Sequence, residues 1–545
     1  SVDFSNVREG EEVKAEDPRA TSMKLKFVEA KSGLEMDQKG TIKSRIVGQG
    51  CNHTDVDGHQ VQIAEAGLYA DPASLEEAML GLSMAGLMTE VGHLAIQQKD
   101  RSSAYLKEKL KGDAVWMLLD ADTRKLVPGA EKLKQPCVQA LGAIYGISRA
   151  GFDHESGRNE RIRKAGWIQL EGSRSLWQQT FLIKGVSRTL ILITYVDDFL
   201  LAGDDRTIDV AWKTLEALGW KPEPPDRYLG IQYKVEVEDD CNVIYLGQEE
   251  YAIYIKDKYL KETQCGPKLR NSKTPAQEWI VYSDDQLSES GKEQESFLRK
   301  MIGMLLYLVR GTRPDSKYQV CRLARNITKW TPACDRELRR QIGWLQFRGD
   351  TGIKLKLCPA EFARNEVRLM FHVDADHGNS CIDRRSMSGM NQMLIGKKTR
   401  AYIGGHSKAQ KLAERASGGS EMNGISAGVS TFFRFDDMWH SVAPDAPRTG
   451  VGCDSSVAIS TVRKGYSKAM YHLNKHAGTD IAFLHDVFFP VDGRSCLELM
   501  KVASAENFAD CNTKPLPYTV FVDAMKQLGV CKLPKGMGSG QKVKK

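Results

Sequence analysis

Residues 189–203 read TLILITYVDDFLLAG. A run rich in apolar and β-branched residues, a tip at Val196-Asp197-Asp198 and a second apolar run make a strand–turn–strand pattern. The apolar strands bury such a hairpin in a sheet and leave the two carboxylates at the sheet's edge, facing a cleft. Adjacent carboxylates repel one another unless cations neutralise them. Phosphoryl transfer by two divalent cations about 3.5–4 Å apart needs hard oxygen ligands of this kind. Taken alone, an Asp-Asp pair is also what a solvated turn contains, so the reading requires a further carboxylate on a neighbouring strand. Asp100, into which the strand 93–97 leads, is available.

Outward from the hairpin, residues 72–91 (PASLEEAMLGLSMAGLMTEV) carry apolar residues at helical spacing, with Ser74 as N-cap before Glu76 and Glu77. Residues 42–47, 228–237 and 243–246 read as strands; 209–218, 248–260 and 297–348 read as helices; 138–146 and 159–166 read as a helix pair around a loop. Residues 1–40 are polar and rich in charge and read as an extension, partly ordered at best. Residues 264–295, with Pro267 and Pro275, read as a linker. A second α/β pattern opens with the strand 367–373, which ends in Asp374, and runs to about residue 516. The Gly- and Lys-rich stretch 532–545 reads as a disordered tail.

A length of 545 residues predicts three or four structural units. The formal net charge is only +7, but residues 299–348 hold twelve Lys or Arg against three acids. A basic face of that kind suits a polyanion, although a solvated helical surface has the same composition. The twelve cysteines are scattered with no CxxC pair, which excludes a disulfide framework and a zinc knuckle and fits reduced thiols in the cytoplasm or nucleus. No apolar run is long enough for a membrane span. The chain opens at Ser1 with no signal-peptide pattern, as a processed or trimmed product would. Cys51, His53 and His59 lack the spacing of a zinc finger. His472 and His476, four apart, read as structural or RNA-contacting.

Tyr195-Val196-Asp197-Asp198 with FLLAG at 199–203 resembles the YVDD box of copia-type reverse transcriptases, and further segments follow in that family's order. KSRIV at 43–47 resembles its fingers strand, and QKDRSSAYL at 98–106 the strand bearing its first catalytic aspartate. AIYGI at 143–147 resembles its LYGL segment, YLGI at 228–231 its FLGI strand, and TRPD at 312–315 the same box in a helical thumb. The resemblance implies that Asp100, Asp197 and Asp198 hold the metal ions. It implies that Tyr105, five residues after Asp100, is a steric gate against the ribose 2′-hydroxyl; without the family it reads as a core tyrosine. Lys43 and Arg45 are candidates for the incoming triphosphate, or else surface cations. The resemblance also makes Tyr195 and Gly230 candidates to border the substrate, and Arg322, Arg325, Arg336 and Arg340 are candidate phosphate contacts.

FHVDAD at 371–376 resembles the first-strand box of the family's ribonuclease H. GGSEMNGI at 418–425 stands where its helix box stands, GCDSSVAI at 452–459 resembles the strand ending in DNQSAI, and ENFAD at 506–510 with TKPL at 513–516 resembles its closing box. The carried-over quartet is Asp374, Glu421, Asp454 and Asp510. Four departures stand out: Asn423 replaces a second helix acid, Gly424 an aromatic, His377 a tryptophan, and Gly151-Phe152-Asp153-His154 a Pro-Arg-x-Trp motif.

The expected fold is therefore mixed α/β (α+β): a right-hand polymerase of fingers, palm and thumb, then a ribonuclease H-like α/β domain. The expected segments are an extension (1–40), fingers and palm (41–246), a basic helical thumb and connection (247–355), ribonuclease H (366–517) and a basic tail (518–545). The resemblance implies an RNA-directed and DNA-directed DNA polymerase with ribonuclease H activity, using two Mg²⁺ or Mn²⁺ ions per active site. Its partners would be an RNA template, a DNA primer or RNA–DNA hybrid, and deoxynucleoside triphosphates, with no membrane. A homodimer or larger ribonucleoprotein is left open. The rival reading is a domesticated or degenerate copy serving as a structural, RNA-binding subunit of a larger assembly.

Overall fold

A computed structural model of the chain describes residues 2–32, 41–61, 72–100, 109–219, 221–222, 227–263, 269–278, 292–378 and 384–537. The architecture is mixed α/β, and among the described residues the strands form three sheets. Strands are numbered along the chain.

The first sheet has the order β1-β6-β5-β2-β3, built from β1 (Val2–Glu9), β2 (Thr21–Ser32), β3 (Thr41–Gly48), β5 (Val115–Leu118) and β6 (Pro136–Ala140). Two sequence expectations change here. Residues 2–32 are integral to this sheet, not a loose extension. Thr21, Met23 and Leu25 are buried while Lys24 and Lys26 are exposed, the period of two that a half-buried strand requires. Residues 136–140, at the start of the expected helix 138–146, form a strand. Val138 and Ala140 are buried there, with β1 and β5 on either side.

The second sheet has the order β11-β4-β10-β9-β8-β7. Its members are β4 (Leu94–Asp100), β7 (Ile168–Gln169), β8 (Leu176–Ile183), β9 (Val186–Tyr195), β10 (Asp198–Asp204) and β11 (Lys221–Pro222). The hairpin read from the sequence is β9 and β10, with Asp198 paired to Tyr195.

The third sheet is ten-stranded. From one edge it runs through β12 (Arg227–Tyr228), β13 (Ile231–Glu238), β14 (Cys241–Gly247) and β15 (Thr351–Leu357) to β18 (Arg400–Ala409), β17 (Met387–Ile395), β16 (Arg368–Ala375), β19 (Thr449–Cys453) and β20 (Leu497–Lys501). β21 (Val530–Lys532) pairs with β15. Strands from the expected palm, connection and ribonuclease H segments thus share one sheet. The stretch expected as a basic tail from 518 is structured as far as 537. Helix Tyr518–Gln527 and β21 dock on the sheet, and Leu533 and Met537 are buried. Residues 538–545 lie outside the described residues.

The helix Leu75–Met88 packs between the second and third sheets. Every residue from Glu77 to Leu87 is buried, as expected of a helix that is apolar on all sides. At Gly86 an added Cβ would lie 2.4 Å from a Leu357 methyl of β15, so glycine sets the closeness of that sheet. Ser74 caps the helix as expected: its hydroxyl accepts from the Glu77 amide, and the Glu77 carboxylate accepts from the Ser74 amide.

The basic stretch is helical as expected: Lys292–Gly311, Lys317–Arg325 and Pro332–Phe347 pack with Glu249–Thr263 around Leu298, Leu305, Leu338 and Ile342. The TRPD box acts as a clasp in this bundle. Arg313 grips Asp315 through two bonds of 2.9 and 2.8 Å, both side chains fully buried, and Trp344 Nε1 donates to the same carboxylate at 2.6 Å. No described helix is long and apolar enough to cross a membrane.

Candidate active sites at two carboxylate clusters

The first cluster sits at the tip of β9 and β10. Leu190 to Ile193 and Phe199 to Ala202 are fully buried, whereas Tyr195, Val196, Asp197 and Asp198 are half-buried at the sheet edge. Strand β4 pairs with β10 in unbroken register from Asp204↔Leu94 to Asp198↔Asp100. The backbone of Asp100 is therefore directly across from that of Asp198; the Asp100 side chain lies outside the described residues. Val196 holds a positive φ of 51°, unfavourable for a β-branched residue. The tip is tied down from below by Arg158, fully buried on helix Ala150–Lys164, whose Nη1 reaches the Val196 carbonyl at 3.5 Å. Tyr228 is buried close by. Burial, helped by the Asp198 charge, pushes its phenol well above the ordinary range.

The second cluster forms where four segments between residues 368 and 512 converge around β16 and β19 of the third sheet. β16 and β19 are parallel neighbours with Val373 opposite Cys453; Asp374 is the next residue on β16, and Asp454 follows directly after the end of β19. Glu421 lies in the first turns of helix Ser417–His440, which packs on β16, and Asp510 lies in the turn Phe508–Asn512. Ligand oxygens of Asp374, Asp454 and Asp510 all lie within 4.8 Å of one another. Glu421, Cys453 and Asp454 form a second such group, joined to the first through Asp454.

The surroundings are built to hold these acids. The Thr513 hydroxyl donates to Asp374 Oδ2, Ser504 Oγ donates to Asp454 Oδ2 at 2.7 Å, and Lys514 Nζ lies 3.0 Å from Asp510 Oδ1. Thr513 and Lys514 explain the TKPL box. Their roles, like that of Cys453, were not read from the sequence, although the box itself was. Burial together with the charges of Asp374, Asp454 and Asp510 pushes Glu421 up to about 9. Burial and Asp374 push Asp510 up to about 7. A set of oxygen donors this crowded fits a hard divalent cation, which relieves the repulsion.

This crowding predicts a stability profile. Without metal, folded Glu421 keeps its proton to about pH 9, against 4.5 for an ordinary glutamate. The folded state then binds more protons than the unfolded one, so stability falls as pH rises between those values. The scale is about 1.4 kcal/mol per unit of displacement. Thermal unfolding of the metal-free protein should therefore move to lower temperature from mildly acidic to alkaline pH. Mg²⁺ should restore it, and Glu421→Gln should flatten the profile. A profile unchanged by Glu421→Gln would show that the cluster is not under charge strain.

The remaining expected site residues divide. Arg45 is exposed, with its guanidinium 5.2 Å from the centre of the Tyr145 ring. Lys43 is on β3, its side chain outside the described residues, and Tyr105 is outside them altogether. Gly230 has a φ of 72° in the tight turn between β12 and β13. Two phosphate-contact expectations are corrected. Arg322 is buried and reaches the Gln277 carbonyl at 3.4 Å, and Arg340 donates to Gln277 Oε1 and the Thr274 carbonyl at 2.8 and 2.9 Å. Both hold the segment 274–277 against the bundle. Arg325 reaches toward the Arg385 carbonyl, and Arg336 is exposed. Asn423 donates to Glu414 at 2.8 Å and accepts from Thr479, so it braces a neighbouring loop.

No family model matches the chain. The chain is homologous to copia-type LTR-retrotransposon polyproteins. It is 24% identical over 457 residues to the Retrovirus-related Pol polyprotein from transposon RE1 of Arabidopsis thaliana, covering 81% of this chain and 28% of that polyprotein. It is 24% identical over 505 residues to the Transposon Ty1-DR5 Gag-Pol polyprotein of Saccharomyces cerevisiae, covering 88% of this chain and 26% of that polyprotein. The chain thus spans little more than a quarter of the curated relatives it matches. Among solved structures, a foamy viral protease-reverse transcriptase in complex with RNA/DNA hybrid aligns with a TM-score of 0.43 and 10% identity, covering 91% of this chain and 52% of that one.

Proposed function

We propose that the chain is an RNA-directed and DNA-directed DNA polymerase that also cleaves the RNA strand of RNA–DNA hybrids, in the service of retrotransposon replication. The observation that carries the reading is that two sheets of one chain each end in an acidic group assembled from segments distant in sequence. Asp100, Asp197 and Asp198 would hold one pair of Mg²⁺ or Mn²⁺ ions, and Asp374, Glu421, Asp454 and Asp510 the other. Divalent cations, if held there, would supply Lewis acidity to an in-line displacement at phosphorus.

The chain's own residues do the rest. Arg158 and the β4–β10 ladder hold the first tip in its half-buried setting. Thr513, Ser504 and Lys514 hold the second set of carboxylates. The substrates would be a primer–template with deoxynucleoside triphosphates at the first site and the hybrid at the second, in the cytoplasm or nucleus. The segments 41–246, 247–355 and 366–517 are the units we assign to fingers and palm, thumb and connection, and ribonuclease H. Primer extension on a poly-ribonucleotide template with Mg²⁺, run beside hybrid cleavage, tests the reading. Loss of both in well-folded protein would leave the structural-subunit alternative.

On this reading the exposed Arg336 faces duplex phosphates and Arg340 does not. Arg336→Glu should flatten the log–log salt dependence of duplex binding by about 0.9 for each phosphate of B-form DNA that it ceases to neutralise. Arg340→Glu should instead lower the unfolding temperature, because it frees the segment 274–277. Equal salt slopes for Arg336→Glu and the unchanged protein would mean that this face is merely solvated.

A further inference from the structure

The helix that carries Glu421 also reaches the polymerase half of the chain. Arg434 lies 13 residues beyond Glu421 on helix Ser417–His440, about 20 Å along the axis at 1.5 Å per residue. Its Nη2 is 3.1 Å from Glu77 Oε1, and its Nε donates to the Gly172 carbonyl at 3.1 Å. Glu77 is fully buried. It caps the central helix through Oε2, and through Oε1 it accepts from Ser173 Oγ at 2.8 Å. Gly172, with a φ of 75°, is where an added Cβ would lie 2.6 Å from the Arg434 carbonyl. Just past the helix, Ser441 Oγ accepts from the Glu171 amide at 3.0 Å, and the Ser441 carbonyl accepts from Gln178 at 3.3 Å.

The segment 171–178 in turn holds the YVDD hairpin. The Thr194 amide donates to the Ser175 carbonyl at 2.9 Å, and Thr194 precedes Tyr195 on β9. A line of hydrogen bonds therefore runs from the strand that ends in the first acidic tip, through Ser175, Ser173, Glu77 and Arg434, into the rigid helix that presents Glu421. Glu76, the neighbour of Glu77, pairs with Arg310 of the helix Lys292–Gly311 at 3.1 Å, so the same helix start also meets the basic bundle.

We propose that Arg434 is a positioning residue that fixes the spacing between the two active sites, so that hybrid cleavage falls at a set distance behind the primer terminus. This rests on the two activities proposed above. Arg434 touches no reacting group; it acts by docking the Glu421 helix on Glu77 and Gly172. Its side chain is 38% exposed, so truncation leaves no buried cavity of note.

The test maps RNA cuts on a labelled hybrid whose DNA primer is shortened in steps. The unchanged protein should give one dominant cut that moves with the primer end. Arg434→Ala should keep hybrid cleavage, because Arg434 touches no reacting group, but lose the dominant cut and its tracking. Arg434→Lys, which can still reach Glu77, should restore part of the focus. Unaltered tracking in Arg434→Ala would overturn the proposal. A second measurement needs no activity: hydrogen exchange across 171–178 should quicken in Arg434→Ala while that of β16 stays the same. Unchanged exchange would overturn the docking role whatever the enzyme does. Absence of any cleavage by the unchanged protein, with the exchange difference present, would instead overturn the hybrid-cleaving reading and this use of the dock with it.

Discussion

On the proposed reading, Asp198→Asn should lower primer extension by about a hundred- to a thousandfold, the scale of a missing electrostatic interaction in a transition state, and leave hybrid cleavage unchanged. The same is expected of Asp197→Asn. The substitutions keep shape and remove charge, so what goes is the capacity to hold a cation. The hairpin is held by the β9–β10 and β4–β10 ladders and by the buried run from Phe199 to Ala202. The circular dichroism spectrum and unfolding temperature should therefore match those of the unchanged protein. The second carboxylate cluster lies on another sheet, on the far side of the helix Leu75–Met88. Its persistence in the same preparation is the internal control for folding. Extension at the unchanged rate by either variant would mean that the acidic tip is a solvated turn after all.

Much of this hairpin was legible because its signals are local. Apolar residues run unbroken through 190–193 and 199–202, and the acids fall between them. The helix Leu75–Met88 was legible for the same reason, down to its Ser74 cap, and so was the strand that ends in Asp374. What escaped depends on partners far away in sequence. β6 looks helical in isolation and becomes a strand because β1, more than a hundred residues earlier, pairs with it. The early residues looked too polar to order, but Met23 and Leu25 find Val115 and Met117 in one core. The merging of β12–β15 with the strands β16–β20 rests on the pairing of β15 with β18 at Lys356↔Arg400, which no local pattern announces.

The sites divide along the same line. The identities of the acids came from motif order, but their gathering could be known only from the fold. Arg322 and Arg340 show the reverse failure. A run of cations reads as a phosphate-binding face, yet charge alone does not tell a solvated guanidinium from one spent on a loop carbonyl. Only packing makes that distinction, and here it withdraws two of four candidates.

Glu421→Gln and Asp374→Asn should each abolish Mg²⁺- or Mn²⁺-dependent cleavage of RNA–DNA hybrids, by about a thousandfold on the same scale, while primer extension survives. The reason differs between the two. Asp374 is fully buried, fixed by Thr513, and shares its cluster with Asp454 and Asp510 within 4.8 Å. Asparagine can keep the Thr513 bond through its amide oxygen, so the geometry stays and the charge goes. Glu421 is the acid under most strain, held protonated to about pH 9 until a cation offsets its neighbours. Glutamine removes that strain, so Glu421→Gln should unfold at a higher temperature than the unchanged protein at neutral pH without metal, even as it loses activity. A residue that served only the fold would not combine a gain in stability with a loss of turnover. Asn423 and Gly424, which depart from the family's pattern beside Glu421, do not displace it. The Asn423 amide is turned to Glu414, and Gly424 lies in ordinary contact with β16 and β17, where an added Cβ would be 3.6 Å from Ser388 Oγ and 3.7 Å from the Asp374 carbonyl. Cleavage that persists in Glu421→Gln, or a variant less stable than the unchanged protein in metal-free buffer, would remove Glu421 from the site.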